Sequence, residues 1–376
     1  MDASRIFLLS FLLTFQLLFV GLFLITHKKG NRRNNILLGT LFILLSWNMG
    51  DLTLQMNGVV LTWKFLQHID DGFILLYGPM FYLYAQGVMF RDFRLSGRHL
   101  LHLIPYLLLT ASLLAFKDLV PDTPEEIIQN ELPWQFYSVN ALMYALFFVY
   151  LGLTYRSLWE YRNIIKNNYS QIDQINLDWL SFSLNTFGLL TVISLIHNFI
   201  ALTENVYVFM VTLVLLLIFI FYFVNRVILK ALRQPEIFAG ISQNETAKYL
   251  GSNLTPGQIE DYRKQLLDLL RTEKSFLNPQ VSLADLSEKL SVSTKHLSQV
   301  INQSFNKSFF DFINTYRIQE VKHILKETSD DKLTVLEAMY EAGFNSKSSF
   351  NTAFKKETGQ TPTEYRKTIS QMRSTS

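Results

Sequence analysis

The stretch AGFNSKSSFNTAFKKETGQTPTEYRKT, residues 342–368, decides how the C-terminal third of the chain folds. Gly343 permits a tight left-handed turn, so one helix ends at Ala342-Gly343-Phe344. Asn345 or Ser346 can cap the next, in which Phe350, Ala353 and Phe354 share one face and leave the other polar and Lys-rich. Immediately upstream, Leu333, Leu336, Met339 and Tyr340 recur at helical spacing. Two short helices joined by a tight turn make a helix-turn-helix over residues 333–357, and the second helix of such a pair can enter a major groove.

The same pattern occurs once more, further upstream. In VSLADLSEKLSVSTKHLSQVINQSF, Leu283, Leu286 and Leu290 form one apolar face, Ser-Val-Ser interrupts, and Leu297, Val300, Ile301 and Phe305 form a second. This gives a first helix-turn-helix over residues 283–305. Between the two units runs KSFFDFINTYRIQEVKHILKE, expected to be a linker helix of roughly 17 residues, or about 25 Å at 1.5 Å per residue. Such a rod spaces two recognition helices for successive major grooves, which lie about 34 Å apart.

The rest of the chain has the opposite composition. Of its 376 residues 49% are hydrophobic and 17% charged, and charge is scarce before about residue 228. Two unlike domains follow from that asymmetry. With no cysteine, disulfide frameworks, Cys-based zinc sites and thiol chemistry are excluded. The net charge of +3 designates no partner. Seven apolar stretches approach the roughly 20 residues that a membrane-crossing helix needs: residues 6–25, 36–56, 72–90, 100–116, 134–153, 180–202 and 206–224. The fourth is short and carries Pro105. The first also has the look of a signal peptide, but only Arg5 precedes it and no small-residue cleavage site follows. Residues 1–228 are thus expected to form a transmembrane region, 229–255 a linker overlapping the Pro- and Gly-broken segment Ala231–Gln258, and 256–373 a separate helical domain.

Orientation follows from where the basic residues fall. Thirteen follow the first, third, fifth and seventh stretches: Lys28, Lys29, Arg32 and Arg33; Arg91, Arg94 and Arg98; Arg156, Arg162 and Lys166; Arg226, Lys230 and Arg233. The opposite side has three, Arg5, Lys64 and Lys117, and an acidic loop. The positive-inside rule puts the N-terminus outside and the C-terminal domain in the cytoplasm of a multi-pass inner-membrane protein. The expected fold is all-α: a seven-transmembrane helix bundle, then a cytoplasmic helical domain with two helix-turn-helix units joined by a linker helix.

From about Pro256 to Arg373 the chain resembles the AraC/XylS family of bacterial transcription regulators. LADLSEKLSVSTKHLSQVI matches its first helix-turn-helix, FINTYRIQEVKHIL its connecting helix and AGFNSKSSFNTAFKKETGQTPTEYRK its second unit. The seven-helix region, with YGPMFYLY and LHLIPY, resembles more loosely that of membrane-anchored members. The resemblance implies double-stranded DNA as partner. It assigns base edges to Lys295, Ser298 and Gln299 in the first unit and to Lys347, Ser348 and Thr352 in the second. Lys307, Lys355, Lys356 and Arg366 are candidates for phosphates, which position the protein without reading sequence. Lys355 and Lys356 equally suit a solvated helix end that complements the helix dipole. Since the domain is nearly neutral and its base-facing set holds few arginines, specificity rests partly on Gln299 and Asn302, or on DNA shape.

In the apolar half, Asp51 lies within a span, where an ionisable group marks function by default. His197 and Asn198 fall at a similar depth, with His68, Asp70 and Asp71 placed to rim an outward pocket. The competing reading is a set of interhelical hydrogen bonds that fixes packing. Pro79 and Pro105 read as kinks. No HExxH, paired intramembrane carboxylates, Gly-rich phosphate loop or inverted repeat is present. The sequence therefore reads as a membrane-bound one-component regulator and not an enzyme, without catalytic residues, cofactor or metal. Its expected partners are DNA, the lipid bilayer, a small-molecule or envelope signal, and a second copy in a homodimer. A transporter or intramembrane-enzyme bundle with an attached regulatory domain is the alternative.

Overall fold

A computed structural model describes residues 3–28, 31–55, 72–115, 134–201, 205–233, 254–327 and 333–374. The chain divides into two units, Met1–Leu158 with Leu177–Ser242, and Trp159–Asn176 with Gln243–Ser376.

Among the described residues the first unit has seven apolar helices: α1 (Ala3–Thr26), α2 (Arg32–Gln55), α3 (Ile74–Met89), α4 (Ile104–Ala115), α5 (Trp134–Asn168, whose last turns belong to the second unit), α6 (Asp178–Ala201) and α7 (Val206–Arg233). Five contain segments long and apolar enough to cross a membrane: Ile6–Thr26, Arg32–Gln55, Ser138–Asn168, Asp178–Ile200 and Val206–Arg226. The third and fourth expected spans are not among these five. At 16 and 12 residues, α3 and α4 extend about 24 and 18 Å, against a hydrocarbon core of about 30 Å. Pro105 explains the fourth: it sits in the first turn of α4, where a missing N–H costs nothing, and Gly97–Leu103 before it winds as a 3-10 turn. The fifth helix overruns its expected end at 153 and continues to Asn168, because Leu158, Tyr161 and Ile165 keep a buried face at helical spacing. Arg156, Arg162 and Lys166 are thereby helical rather than looped.

Antiparallel neighbours hold this unit. The α1–α2 hairpin closes where Gly21 meets Gly39: a Cβ on Gly21 would come within 2.9 Å of the Gly39 carbonyl oxygen, and the reverse approach is 2.8 Å. Small residues let helix backbones touch in just this way inside membranes. Ser46 Oγ donates to the Thr14 carbonyl across the same hairpin. Along α2, α3 runs in the opposite sense: its Tyr77 hydroxyl bonds Asn48, and Arg33 Nη1, at the other end of α2, donates to the carbonyl of Phe93, just beyond α3. The side chains of Phe15, Phe19, Leu108 and Phe199 are more than half exposed, an apolar outer surface of the kind that lipid covers.

The second unit holds α8 (Pro256–Glu273), α9 (Leu283–Lys289), α10 (Thr294–Phe305), α11 (Phe309–Glu327), α12 (Val335–Glu341), α13 (Lys347–Thr358) and α14 (Pro362–Ser374). Its two apolar cores share one rod. Phe309, Phe312 and Ile313 of α11 pack with Leu266, Leu283, Leu286, Leu297 and Ile301, while Ile318, Val321 and Leu325 of the same helix pack with Met339, Phe344, Phe350 and Phe354. Helix starts are fixed by reciprocal side-chain caps: Thr255 with Gln258, Ser282 with Asp285, and Thr334 with Glu337.

Gly343 is the turn residue between α12 and α13, at φ +86°, and a Cβ there would lie 2.6 Å from the Leu277 carbonyl oxygen. Both the left-handed backbone and an unyielding main-chain neighbour oppose any larger residue. Gly343→Ala should therefore destabilise the second unit by on the order of 2 kcal/mol. Urea titration of the purified chain, followed by hydrogen exchange in α12–α13, would measure it; an unchanged midpoint would refute the clash.

Candidate nucleic-acid interface

Helices α10 and α13 occupy equivalent places in the two cores, and each begins on a serine. Ser293 Oγ accepts from the His296 amide at 3.2 Å and Ser346 Oγ from the Ser349 amide at 3.3 Å, so Ser346 is the cap of the second helix. Asn306 at φ 51° and Gly359 at φ 74° end them in left-handed turns. Apolar side chains face inward: Leu297, Val300 and Ile301 from α10, Phe350 and Phe354 from α13.

What remains outward is polar. On α10, Lys295 and Gln299 are half-exposed and Asn302 exposed, joined by exposed Gln303, which accepts from Gln299 at 3.4 Å. On α13, Lys347, Ser348, Thr352 and Lys355 are exposed, together with Asn351 one turn beyond Lys347. Gln303 and Asn351 are additions to the expected set, and helical spacing from Gln299 and Lys347 was their signal. Ser298 departs from expectation. It is 4% exposed, and its Oγ accepts from Asn302 Nδ2 at 3.3 Å.

Two of the expected phosphate-binding lysines are engaged within the unit. Lys356 Nζ lies 2.8 Å from Asp311 Oδ1, and Lys307 Nζ donates to Thr315 Oγ1 at 2.6 Å while lying 3.6 Å from Glu357. These crossed pairs tie the end of α13 to the start of α11. Burial alone would raise the Asp311 carboxyl, but hydrogen bonds from Lys356 and Ser308 outweigh it and hold the group below the usual range. Lys356 keeps 68% of its side chain exposed, so its ammonium stays solvated. Arg366, on α14, acts on the Glu337 carboxylate through its charge.

Sequence reading missed one buried cation, Arg317, 2% exposed near the middle of α11. Its guanidinium donates to the carbonyls of Phe276 at 2.8 Å, Asn278 at 2.9 Å and Pro279 at 3.3 Å, and to both the carbonyl and the hydroxyl of Ser170. No carboxylate answers it among its hydrogen-bond partners, and burial lowers its pKa to about 10, leaving it charged at neutral pH.

In the first unit the candidate signal residues have separate partners. His197 Nδ1 bonds Thr212 Oγ1 at 2.8 Å and its ring stacks on Phe209, while Asn198 Nδ2 donates to the Tyr144 hydroxyl at 2.5 Å. Asp51 accepts from Gln55 through Oδ2, and its Oδ1 is buried without a hydrogen-bond partner among the described residues. No hydrogen bond joins Asp51 to His197 or Asn198 among the described residues. His68, Asp70 and Asp71 lie outside the described residues, as does most of the expected linker.

Comparison with known proteins bears on the C-terminal unit. Residues 286–368 match the family model described as a helix-turn-helix domain. An uncharacterised HTH-type transcriptional regulator of Staphylococcus aureus (strain COL) is 38% identical over 86 residues, which are 23% of this chain and 11% of that one. Another, in the cgkA 5′ region of Pseudoalteromonas carrageenovora, is 30% identical over 102 residues, 27% of this chain and 58% of that one. The chain thus spans about a tenth of the staphylococcal relative. Among solved structures, the C-terminal domain of AraT, a response regulator from Geobacillus stearothermophilus, is 29% identical over 31% of this chain and 88% of that one, with a TM-score of 0.25. A protein of unknown function from Listeria innocua is 27% identical over 28% of this chain and 93% of that one, at 0.24. By sequence the C-terminal unit contains a helix-turn-helix domain, similar to those of HTH-type transcriptional regulators.

Proposed function

We propose that the chain is a membrane-bound one-component transcription regulator. In this reading α10 and α13 read DNA from the cytoplasmic face of the inner membrane, and a signal received in the apolar unit controls them. The observation that carries it is the joining, in one chain, of a helix-turn-helix domain with five helices, among the described residues, long and apolar enough to span a bilayer. Footprinting with the whole chain in lipid nanodiscs tests it: protection of discrete sites in bacterial DNA is expected, and uniform protection at moderate salt would sink the proposal.

The seven-span topology is part of the proposal. Arg33 bonding Phe93 supports it, because this contact brings the Arg91–Arg98 loop to the end of α2 where the first basic cluster lies. A reporter active only in the cytoplasm should work when fused in the Arg91–His99 loop and after Arg233, and be silent between Val120 and Glu131. If α3 and α4 do not cross, the Arg91–His99 fusion is silent instead, and the count drops to five.

His197, Asn198 and Asp51 are proposed to contribute to signal reception. The unpartnered Asp51 oxygen and the Tyr144–Asn198 bond supply polar groups within apolar helices, as a ligand that distinguishes two helix packings requires. Asp51→Asn and His197→Ala should leave the chain inserted but fix target expression in one state across growth conditions. Normal responses at normal abundance would remove both from the site, whereas loss of inserted chain would mark a packing role.

A further inference from the structure

The segment following α5 makes contacts that DNA reading does not call for. Tyr169 bridges Ser282 in antiparallel fashion, Ser170 Oγ donates to the Val281 carbonyl at 2.5 Å, and Arg317 grips Ser170 from the other side. Ser170 is 2% exposed, so this is a seated contact within the second unit rather than a surface graze. Three residues on, Asp173 reaches the other helix-turn-helix: Ser349 Oγ lies 2.6 Å from each of its carboxylate oxygens. The segment therefore grips both halves of the DNA-binding domain, the first through Ser170 and the second through Asp173.

The position of Ser349 gives this contact its meaning. It stands in the first turn of α13, about 60° around the helix from Thr352 and about 20° from Lys356 at 100° per residue. The Asp173 carboxylate thus borders the outward polar face, at a helix start where partial positive charge favours an anion. A DNA phosphate approaching that face has the same charge and would seek the same donors.

We propose that the Tyr169–Asn176 segment is an autoinhibitory strap, with the Asp173 carboxylate standing in for a DNA phosphate at the second recognition helix while Ser170 anchors the strap on the first half. The proposal rests on the DNA-reading function above. Strap and DNA exclude each other, so the unit binds its operator tightly only once Asp173 has left Ser349. Because α5 leads directly into the strap, a change in that helix has a covalent route to the contact.

The absence of cysteine makes the test clean. The full chain in nanodiscs is assayed against a duplex enriched by selection on that same preparation, with random duplex as competitor. Asp173→Asn, which keeps the shape and removes the charge, should tighten binding about fivefold or more. The double variant Asp173→Cys with Ser349→Cys should lose at least tenfold in affinity when oxidised and recover on reduction. Unchanged affinity in Asp173→Asn and in the oxidised double variant would overturn the strap. So would failure of the two thiols to join under oxidant, since the contact would then not exist. If no duplex is enriched by wild type or by Asp173→Asn, the DNA-reading function itself fails, an outcome distinct from selective binding that ignores residue 173.

Discussion

Replacing Arg317 with alanine is expected to destabilise the C-terminal unit by about 3–5 kcal/mol, the range typical of removing one member of a buried charged network. Its partners are what make the loss large. The Phe276, Asn278, Pro279 and Ser170 carbonyls all accept from this one guanidinium, and each buried acceptor left without a donor costs about 1–3 kcal/mol. The vacated volume adds a cavity term. Arg317→Lys offers three donors from a single nitrogen and should recover only part of the loss, because that nitrogen lacks the forked geometry of a guanidinium. Arg317→Met fills much of the volume without donors and so isolates the hydrogen-bond share. Hydrogen exchange in α11 of the full chain is the measurement, and a loss below about 1 kcal/mol in the alanine variant would mean that water satisfies the carbonyls instead. The sign of the pH dependence is also fixed. Burial holds the folded-state pKa at about 10, below its ordinary value. The unfolded chain thus keeps more protons above that point, and the Arg317 contribution makes stability rise with pH there. It is flat through neutrality.

Arg317 also shows where sequence reading stops. The short helices of the C-terminal unit were legible because their signals are local: a left-handed glycine at 343, serines at 293 and 346, and apolar residues at helical spacing. Ser346 rather than Asn345 became the cap because its Oγ reaches the Ser349 amide, a choice of geometry that composition leaves open. The grip of Arg317 on Ser170 joins residues 147 apart in sequence, and no periodicity reports a contact between a buried cation and main-chain carbonyls. Ser298 was misplaced for a subtler reason. It lies only about 20° from Phe305 on a helical wheel, so it borders the buried stripe, and a small hydroxyl can sink there by bonding Asn302. The apolar half was legible as apolar, but hydropathy measures stretches rather than helices. Pro105 shortened the fourth stretch into a 3-10 turn and a 12-residue helix, whereas α5 ran past its polar end because Tyr161 and Ile165 remained buried.

In the proposed complex, the outward faces of α10 and α13 differ in what their loss should do to binding. The two helices should occupy half-sites about one helical turn, on the order of 10 base pairs, apart. Gln299→Ala and Thr352→Ala should each relax discrimination at one half-site by about 1–3 kcal/mol, or roughly fivefold to 150-fold, leaving the other half-site unchanged. Asn351→Ala should resemble Thr352→Ala, since both share the exposed face of α13. Ser298→Ala should act through Asn302 and weaken the first half-site less than Gln299→Ala does. Lys356→Ala should behave differently, weakening every duplex alike and reducing the slope of log affinity against log salt by about 1. Its ion pair with Asp311 does not confound that reading, because the lysine is 68% exposed and such a pair contributes little to stability. The two classes separate in one experiment, a competition between the selected duplex and single-base variants at two salt concentrations. Uniform weakening by Gln299→Ala and Thr352→Ala would mean that α10 and α13 only position the domain, and specificity would then belong to DNA shape.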